Sequence, residues 1–155
     1  MRINLIAIGK KMPEWIQTGY QEYAKRIIGD CSLKLIEVDS RLNAQKLPSE
    51  IIQEKETESL LAATSPRSHI IALDRTGKSW DTLALAQQLQ RWQNLGTEIS
   101  IWIGGPEGIA KNMLEKIPEK WSLSALTFPH PLVRVIVAEQ LYRAWSILHR
   151  HPYHR

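Results

Sequence analysis

Short apolar runs of strand length alternate with amphipathic helical segments along the whole chain, and this alternation limits the fold more than any other feature of the sequence. Residues 2–8 (RINLIAI) read as a strand, and residues 13–28 as a helix with Pro13 in its first turn and Gly29 at its end. Residues 33–38 give a second strand. A polar loop follows, and residues 48–63 then read as a helix with an acidic exposed face, ended by Ser65-Pro66. The run SHIIAL (68–73) is apolar enough to be a strand covered on both faces. Residues 81–95 read as a helix with Asp81 as N-cap and Gly96 just past its end. The fourth strand is EISIWI (98–103) and the fifth WSLSALT (121–127), separated by a short Lys-containing segment; a last helix spans 132–150. The order predicts one α/β domain over residues 1–155, with a mainly parallel sheet and helices on both faces. Ligands of such sheets sit at the carboxyl ends of the strands, which selects the loops after Leu73, Ile103 and Thr127.

With 155 residues the chain has the usual size of one domain. Its 43% apolar and 23% charged residues exclude a disordered, collagen-like or disulfide-scaffold protein. The lone Cys31 has no internal partner to oxidise with, as expected of a reducing, cytoplasmic compartment. Near the N-terminus the apolar stretch 3–8 is interrupted by Asn4 and closed by Gly9-Lys10-Lys11, too short for an export signal or a membrane span. The net charge of +4 is unevenly placed. Residues 50–58 carry four Glu against Lys55, whereas residues 129–155 carry four Arg against Glu139 and hold four of the five His. Cationic chemistry is concentrated at the C-terminal end, where a solvated tail is the simplest alternative to a binding surface.

Of the three selected loops, the one after the fourth strand, Gly104-Gly105-Pro106-Glu107-Gly108, lets backbone approach a ligand without Cβ obstruction. It has neither the spacing nor the place of a dinucleotide fingerprint. Thr76-Gly77-Lys78-Ser79 resembles half of a phosphate loop, but the Gly required six positions before Lys78 is Ala72, within a strand. The fifth strand leads into Phe128-Pro129-His130-Pro131, where two prolines hold His130 on a stiff turn. In the last helix Glu139, Arg143, Ser146 and Arg150 form one narrow polar stripe; the remaining surface is nearly all apolar. A helix this apolar is hard for one chain of this size to enclose, which predicts a symmetric dimer through it. Arg134, on the apolar side, needs a carboxylate or an anionic ligand. The terminal HRHPYHR alternates rings with guanidiniums, a combination suited to stacking on RNA bases and gripping phosphates. No Cys or Asp lies near these histidines to complete a metal-ligand set, so no metal is expected.

The segments IGGPEG (103–108), WSLSALTFPHPLVRVIVAEQLYRAW (121–145) and HPYHR (151–155), together with KKMPEWIQTGYQEYAKR (10–26), closely resemble the RlmH family of SPOUT methyltransferases, the pseudouridine N3-methyltransferases of 23S ribosomal RNA. The resemblance spans the chain. It implies a C-terminal trefoil knot, a homodimer and S-adenosylmethionine as methyl donor. By motif it assigns cofactor contacts to Leu73, Gly104, Gly105, Leu123, Ser124, Ala125, Leu126, Thr127 and Phe128. Methylating N3 requires removal of its proton, for which His130 and Glu139 are candidates, with Arg143 stabilising developing negative charge. Arg134, Tyr153, His154 and Arg155 are expected to orient the RNA, some of them at the opposite subunit's site. Since the chain is only mildly basic, the expected substrate is an assembled large subunit or ribosome. The rival readings are a SPOUT enzyme acting on tRNA and a non-catalytic, ribosome-associated RNA-binding dimer.

Overall fold

Side chains alternate faces along a strand, so a strand buried on both sides must be apolar at nearly every position. β1 (Arg2–Ile8) meets this condition, with Ile3, Leu5 and Ala7 in one core cluster and Ile6 and Ile8 in the other. The computed structural model describes residues 1–40 and 46–155. The polar loop expected after the second strand includes residues 41–45, which lie outside the described residues. The elements follow in the order β1, α1 (Glu14–Ala24), β2 (Ser32–Val38), α2 (Ser49–Ala62), β3 (His69–Ser79), α3 (Thr82–Leu95), β4 (Ile99–Ile103), α4 (Lys111–Leu114), β5 (Glu119–Ser122) and α5 (His130–Leu148). A short 3-10 helix, Pro152–His154, follows. The five strands pair in parallel in the order β2-β1-β4-β3-β5. One core cluster packs α1, α3 and α5 on the sheet, and the other packs α2 and the segment around α4 on its opposite face. The mainly parallel sheet with helices on both faces is therefore as the sequence predicts.

Several boundaries differ for identifiable reasons. The expected first helix stops short because Arg26 and Ile27 bond to carbonyls three residues back, tightening the chain out of the α-helix. β3 runs six residues beyond Leu73, and its register against β5 breaks between Leu73 and Lys78, both of which face Trp121. Thr76-Gly77-Lys78-Ser79 is thus strand and no phosphate loop. A Cβ at Gly77 would lie 2.5 Å from the backbone of Lys120 and Trp121, so no larger residue fits there. β5 ends at Ser122, five residues before the expected limit, because side-chain hydroxyls capture the backbone. The Ser124 Oγ accepts from the Leu126 N–H at 3.0 Å, and the Ser122 hydroxyl donates to the Ser124 carbonyl at 3.3 Å. Asp81 caps α3 as expected, accepting from the Ala84 N–H at 2.8 Å, and Gly96 closes it in the left-handed region.

α5 requires a larger correction. Expected to be too apolar for one chain to cover, it is largely covered by its own chain: Val137, Ala138, Leu141, Tyr142, Ala144 and Trp145 are buried against α1, α3 and the sheet. Ser146, placed on the polar stripe by the sequence, is fully buried and donates to the Arg143 carbonyl at 2.7 Å. The C-terminal residues are no solvated tail either. Tyr153 folds back onto Tyr142, with ring centroids 4.4 Å apart, and onto Tyr23 at 6.5 Å.

Candidate active site

Three chain segments leave the carboxyl ends of β3, β4 and β5 and enclose one cavity of about 870 Å³. Leu73 contributes from β3, Gly104 and Gly105 from the turn after β4, and Leu123, Ser124, Leu126, Thr127 and Phe128 from the segment after β5. His130, the first residue of α5, stands on the same wall. All of the cofactor-contact candidates line this cavity except Ala125, which is exposed and forms no part of its wall. The expectation that the strand-end loops converge is met in space.

The wall also contains residues the sequence reading missed. Asp74 and Arg75 enter it because the register break in β3 releases them from the ladder. Gln53 enters it from α2, a helix whose acidic composition predicts a solvated face, and lies beside Glu107 of the glycine turn. In fact α2 turns a polar face toward the glycine turn. The Ser49 hydroxyl donates to the Glu107 carboxylate at 2.6 Å, the Gln53 amide donates to the Glu107 carbonyl, and Thr57 Oγ1 accepts from the Ala110 N–H at 2.9 Å. Glu56, on the same face, is buried. The spacing 49, 53, 56, 57 is the one signal that marks a single helical face, and acidic composition disguised it.

His130 sits beside Gly9, its Nε2 3.6 Å from where a Cβ at that glycine would lie; Arg134 Nη2 is 3.5 Å from the same point. Burial first, and the Arg134 charge second, hold the imidazole below its ordinary value, so the ring is neutral at neutral pH and able to accept a proton. Arg134 has no exposed surface. Its Nη1 donates to Glu37 at 2.6 Å and its Nη2 to the carbonyls of Ile8 at 3.1 Å and Gly9 at 2.7 Å. The carboxylate expected for it is therefore Glu37. A guanidinium so enclosed fixes the backbone under His130 and offers no surface to RNA, contrary to the role the resemblance suggested.

Glu139 and Arg143 are not brought to His130 within the chain. Nine residues separate His130 from Glu139 along α5, a rise of about 14 Å. Glu139 instead anchors a separate cluster. It accepts from Arg143 Nε at 3.0 Å and Nη2 at 2.5 Å, and from the Tyr153 hydroxyl at 2.8 Å. The Arg143 guanidinium lies over the Tyr153 ring at 5.1 Å. Burial first and then Glu139 raise the Tyr153 phenol, which stays a donor. The Glu139 carboxylate is held by a guanidinium and a phenol, and Glu139, Arg143 and Tyr153 form a preformed polar cluster. His154 is half-buried near Ser146, and Arg155 is exposed. Among the described residues no group of three His, Cys, Asp or Glu is placed to hold a metal ion, and no helix is long and apolar enough to cross a membrane.

The family described as "Predicted SPOUT methyltransferase" matches residues 1–154. The chain is a SPOUT methyltransferase. It is 46% identical, over the full length of both proteins, to the ribosomal RNA large subunit methyltransferase H of Methylococcus capsulatus (strain ATCC 33009 / NCIMB 11132 / Bath). Two solved structures share the fold of this SPOUT methyltransferase. One is a probable methylase family protein from Haemophilus influenzae Rd KW20 with a TM-score of 0.58 and 13% identity, matched over 99% of this chain and 70% of that one. The other is a probable methyltransferase from Bordetella pertussis Tohama I with a TM-score of 0.57 and 15% identity, matched over 93% and 94%. As a SPOUT methyltransferase the protein requires a methyl donor, and the cavity at the strand ends fits one. It is lined by the glycine turn, by apolar side chains and by the backbone that leaves β3 and β5.

Proposed function

We propose that the protein uses S-adenosylmethionine to methylate N3 of a pseudouridine in the 23S RNA of the large ribosomal subunit, acting as a homodimer in the cytoplasm. One observation carries the reading: in a chain 46% identical end to end to a ribosomal RNA methyltransferase, the three strand-end segments and His130 surround a single cavity. Leu73, Gly104, Gly105, Leu123, Ser124, Leu126, Thr127 and Phe128 would hold the cofactor, with the segment after β5 threaded in the trefoil knot that the family resemblance implies. When bound there, S-adenosylmethionine would supply the electrophilic methyl group for N3.

The chain's own residues contribute the rest. The target N3 carries a proton between two carbonyls; it passes to the neutral His130 ring, which frees the nitrogen's electron pair. Alignment of the two substrates provides most of the acceleration. Arg134 fixes the backbone at Gly9 under that ring. The Glu139–Arg143–Tyr153 platform, remote from His130 in its own chain, belongs to the opposite subunit's site, where Arg143 offsets negative charge gathering on a flanking carbonyl. His154 and Arg155 grip the RNA. Support for the dimer comes from this division, and from Trp15, which is 62% exposed on α1 beside α5.

Incubating the protein and labelled S-adenosylmethionine with ribosomes, isolated large subunits and tRNA in parallel tests the reading. Label is expected at a pseudouridine of large-subunit RNA, mapped by mass spectrometry. Label in tRNA would instead identify the tRNA-modifying alternative, and no labelling or cofactor binding the non-catalytic one.

A further inference from the structure

The glycine turn that lines the cavity rests on a carboxyl group. Glu56, on α2, is only 2% exposed, and its Oε1 has no hydrogen-bond partner among the described residues, while its Oε2 accepts from the Ser40 hydroxyl at 2.6 Å. A Cβ built on Gly105 would lie 2.8 Å from Oε1 and 3.0 Å from Oε2. The carboxyl therefore stands in the space that a side chain at position 105 would take. Burying a polar oxygen without a partner costs free energy, and such groups persist in native proteins for a reason. Helix stability does not supply one here, because Ser49 and Gln53 already tie α2 to Glu107 of the same turn and Thr57 ties it to Ala110 just beyond, through three hydrogen bonds.

We propose that Glu56 is a positioning residue of the cofactor seat: its buried carboxyl, packed where a side chain at Gly105 would lie, sets the distance of the glycine turn from the opposite wall and so the fit of an adenosyl-type methyl donor. The inference rests on the cofactor reading above but not on the RNA substrate. Glu56 itself does not line the cavity and acts through Gly105. The arrangement explains two residues at once. Gly105 has to be glycine because Glu56 occupies its side-chain space, and Glu56 is tolerated in the interior because that space exists. Burial raises the carboxyl's pKa most, the Ser40 hydroxyl lowers it and the Glu107 charge raises it, leaving it above the ordinary carboxylate value.

A paired set of variants tests this through S-adenosylmethionine affinity by calorimetry and thermal unfolding of the protein without cofactor. E56Q, which keeps shape and removes ionisation, should bind within about threefold of the parent. E56A should bind about tenfold or more weakly while melting within about 3 °C of it. G105A should lose both affinity and stability, because its methyl group meets the carboxyl. Adding E56A to G105A should then recover most of the lost stability and part of the affinity. Should E56A alone fail to fold, E56D, which withdraws the carboxyl by one methylene, should still weaken binding severalfold. Parental affinity in E56A or E56D, or a double variant no more stable than G105A, overturns the proposal. A parent that does not bind S-adenosylmethionine overturns the cofactor reading instead, and the unfolding of G105A with and without E56A still decides the steric part.

Discussion

Arg134 is the most committed side chain in the molecule. One guanidinium joins α5 to Glu37 of β2 and to two carbonyls at the end of β1, linking three elements that lie far apart in sequence. Removing it leaves buried acceptors without a donor, so R134A should cost about 3–5 kcal/mol in urea unfolding, toward the lower end because Glu37 is partly solvated. R134K should recover only part, since an ammonium cannot fork between a carboxylate and two carbonyls. The sequence asks for a carboxylate or an anionic ligand for this arginine and leaves the choice open; the pairing of β1 with β2 brings Glu37 to it. His130 allows a second test. Because its folded pKa lies below the unfolded value of about 6.5, the ring is neutral above that pH and gains its proton only below it. The acid limb of a kcat/KM profile should therefore fall below about pH 6.5. By the same sign, its contribution to stability is present above that pH and is lost as the pH falls through the folded value. H130Q should lower kcat about 10²–10⁴-fold and abolish that limb. An unchanged limb in H130Q would assign the proton transfer to another group.

At the scale of elements, strands and helices were legible wherever local chemistry and burial agreed. β1 and β4 are buried at almost every position, and α3 carries both its capping signals. Removing the first of these in D81A should cost about 1 kcal/mol, read as a fall in melting temperature of about 2–4 °C. The places where the reading failed lie around the site. β5 looks like strand to residue 127 by composition, yet the hydroxyls of Ser122 and Ser124 compete for its backbone and release the segment that lines the cavity. α2 looks solvated because it is acidic, yet its inward face holds the glycine turn. Neither outcome is visible in hydropathy, because the first depends on local hydroxyl-to-backbone bonds at Ser122 and Ser124 and the second on long-range bonds from α2 to the turn after β4. The tail is a third case. Tyr153 reaches Glu139 across fourteen residues of sequence, so what reads as a free basic end is docked. Y153F, which keeps the ring packing and removes that bond, should cost about 0.5–1.5 kcal/mol in stability.

For the whole molecule, the proposed roles of His130 and Arg143 require two groups on opposite halves of one helix to meet at a single base. His130 opens α5 at the cavity, and the Glu139–Arg143–Tyr153 cluster lies more than two turns away, too far for both to touch one base in the same chain. A two-fold axis resolves this if each site takes His130 from one chain and Arg143 from its partner, an arrangement that symmetry repeats at both sites. Mixing experiments discriminate it from a site contained in one chain. H130A and R143A are each expected to be nearly inactive as homodimers. Unfolded together and refolded at equal concentration, they should form heterodimers as about half of the population by random pairing. In every heterodimer one site collects both substitutions and the other neither. Methylation should therefore return to about a quarter of the parental rate, while either variant refolded alone stays inactive. If His130 and Arg143 served the same chain's site, every site in the mixture would carry one defect and no activity would return. The regained fraction measures directly whether the partner completes the site.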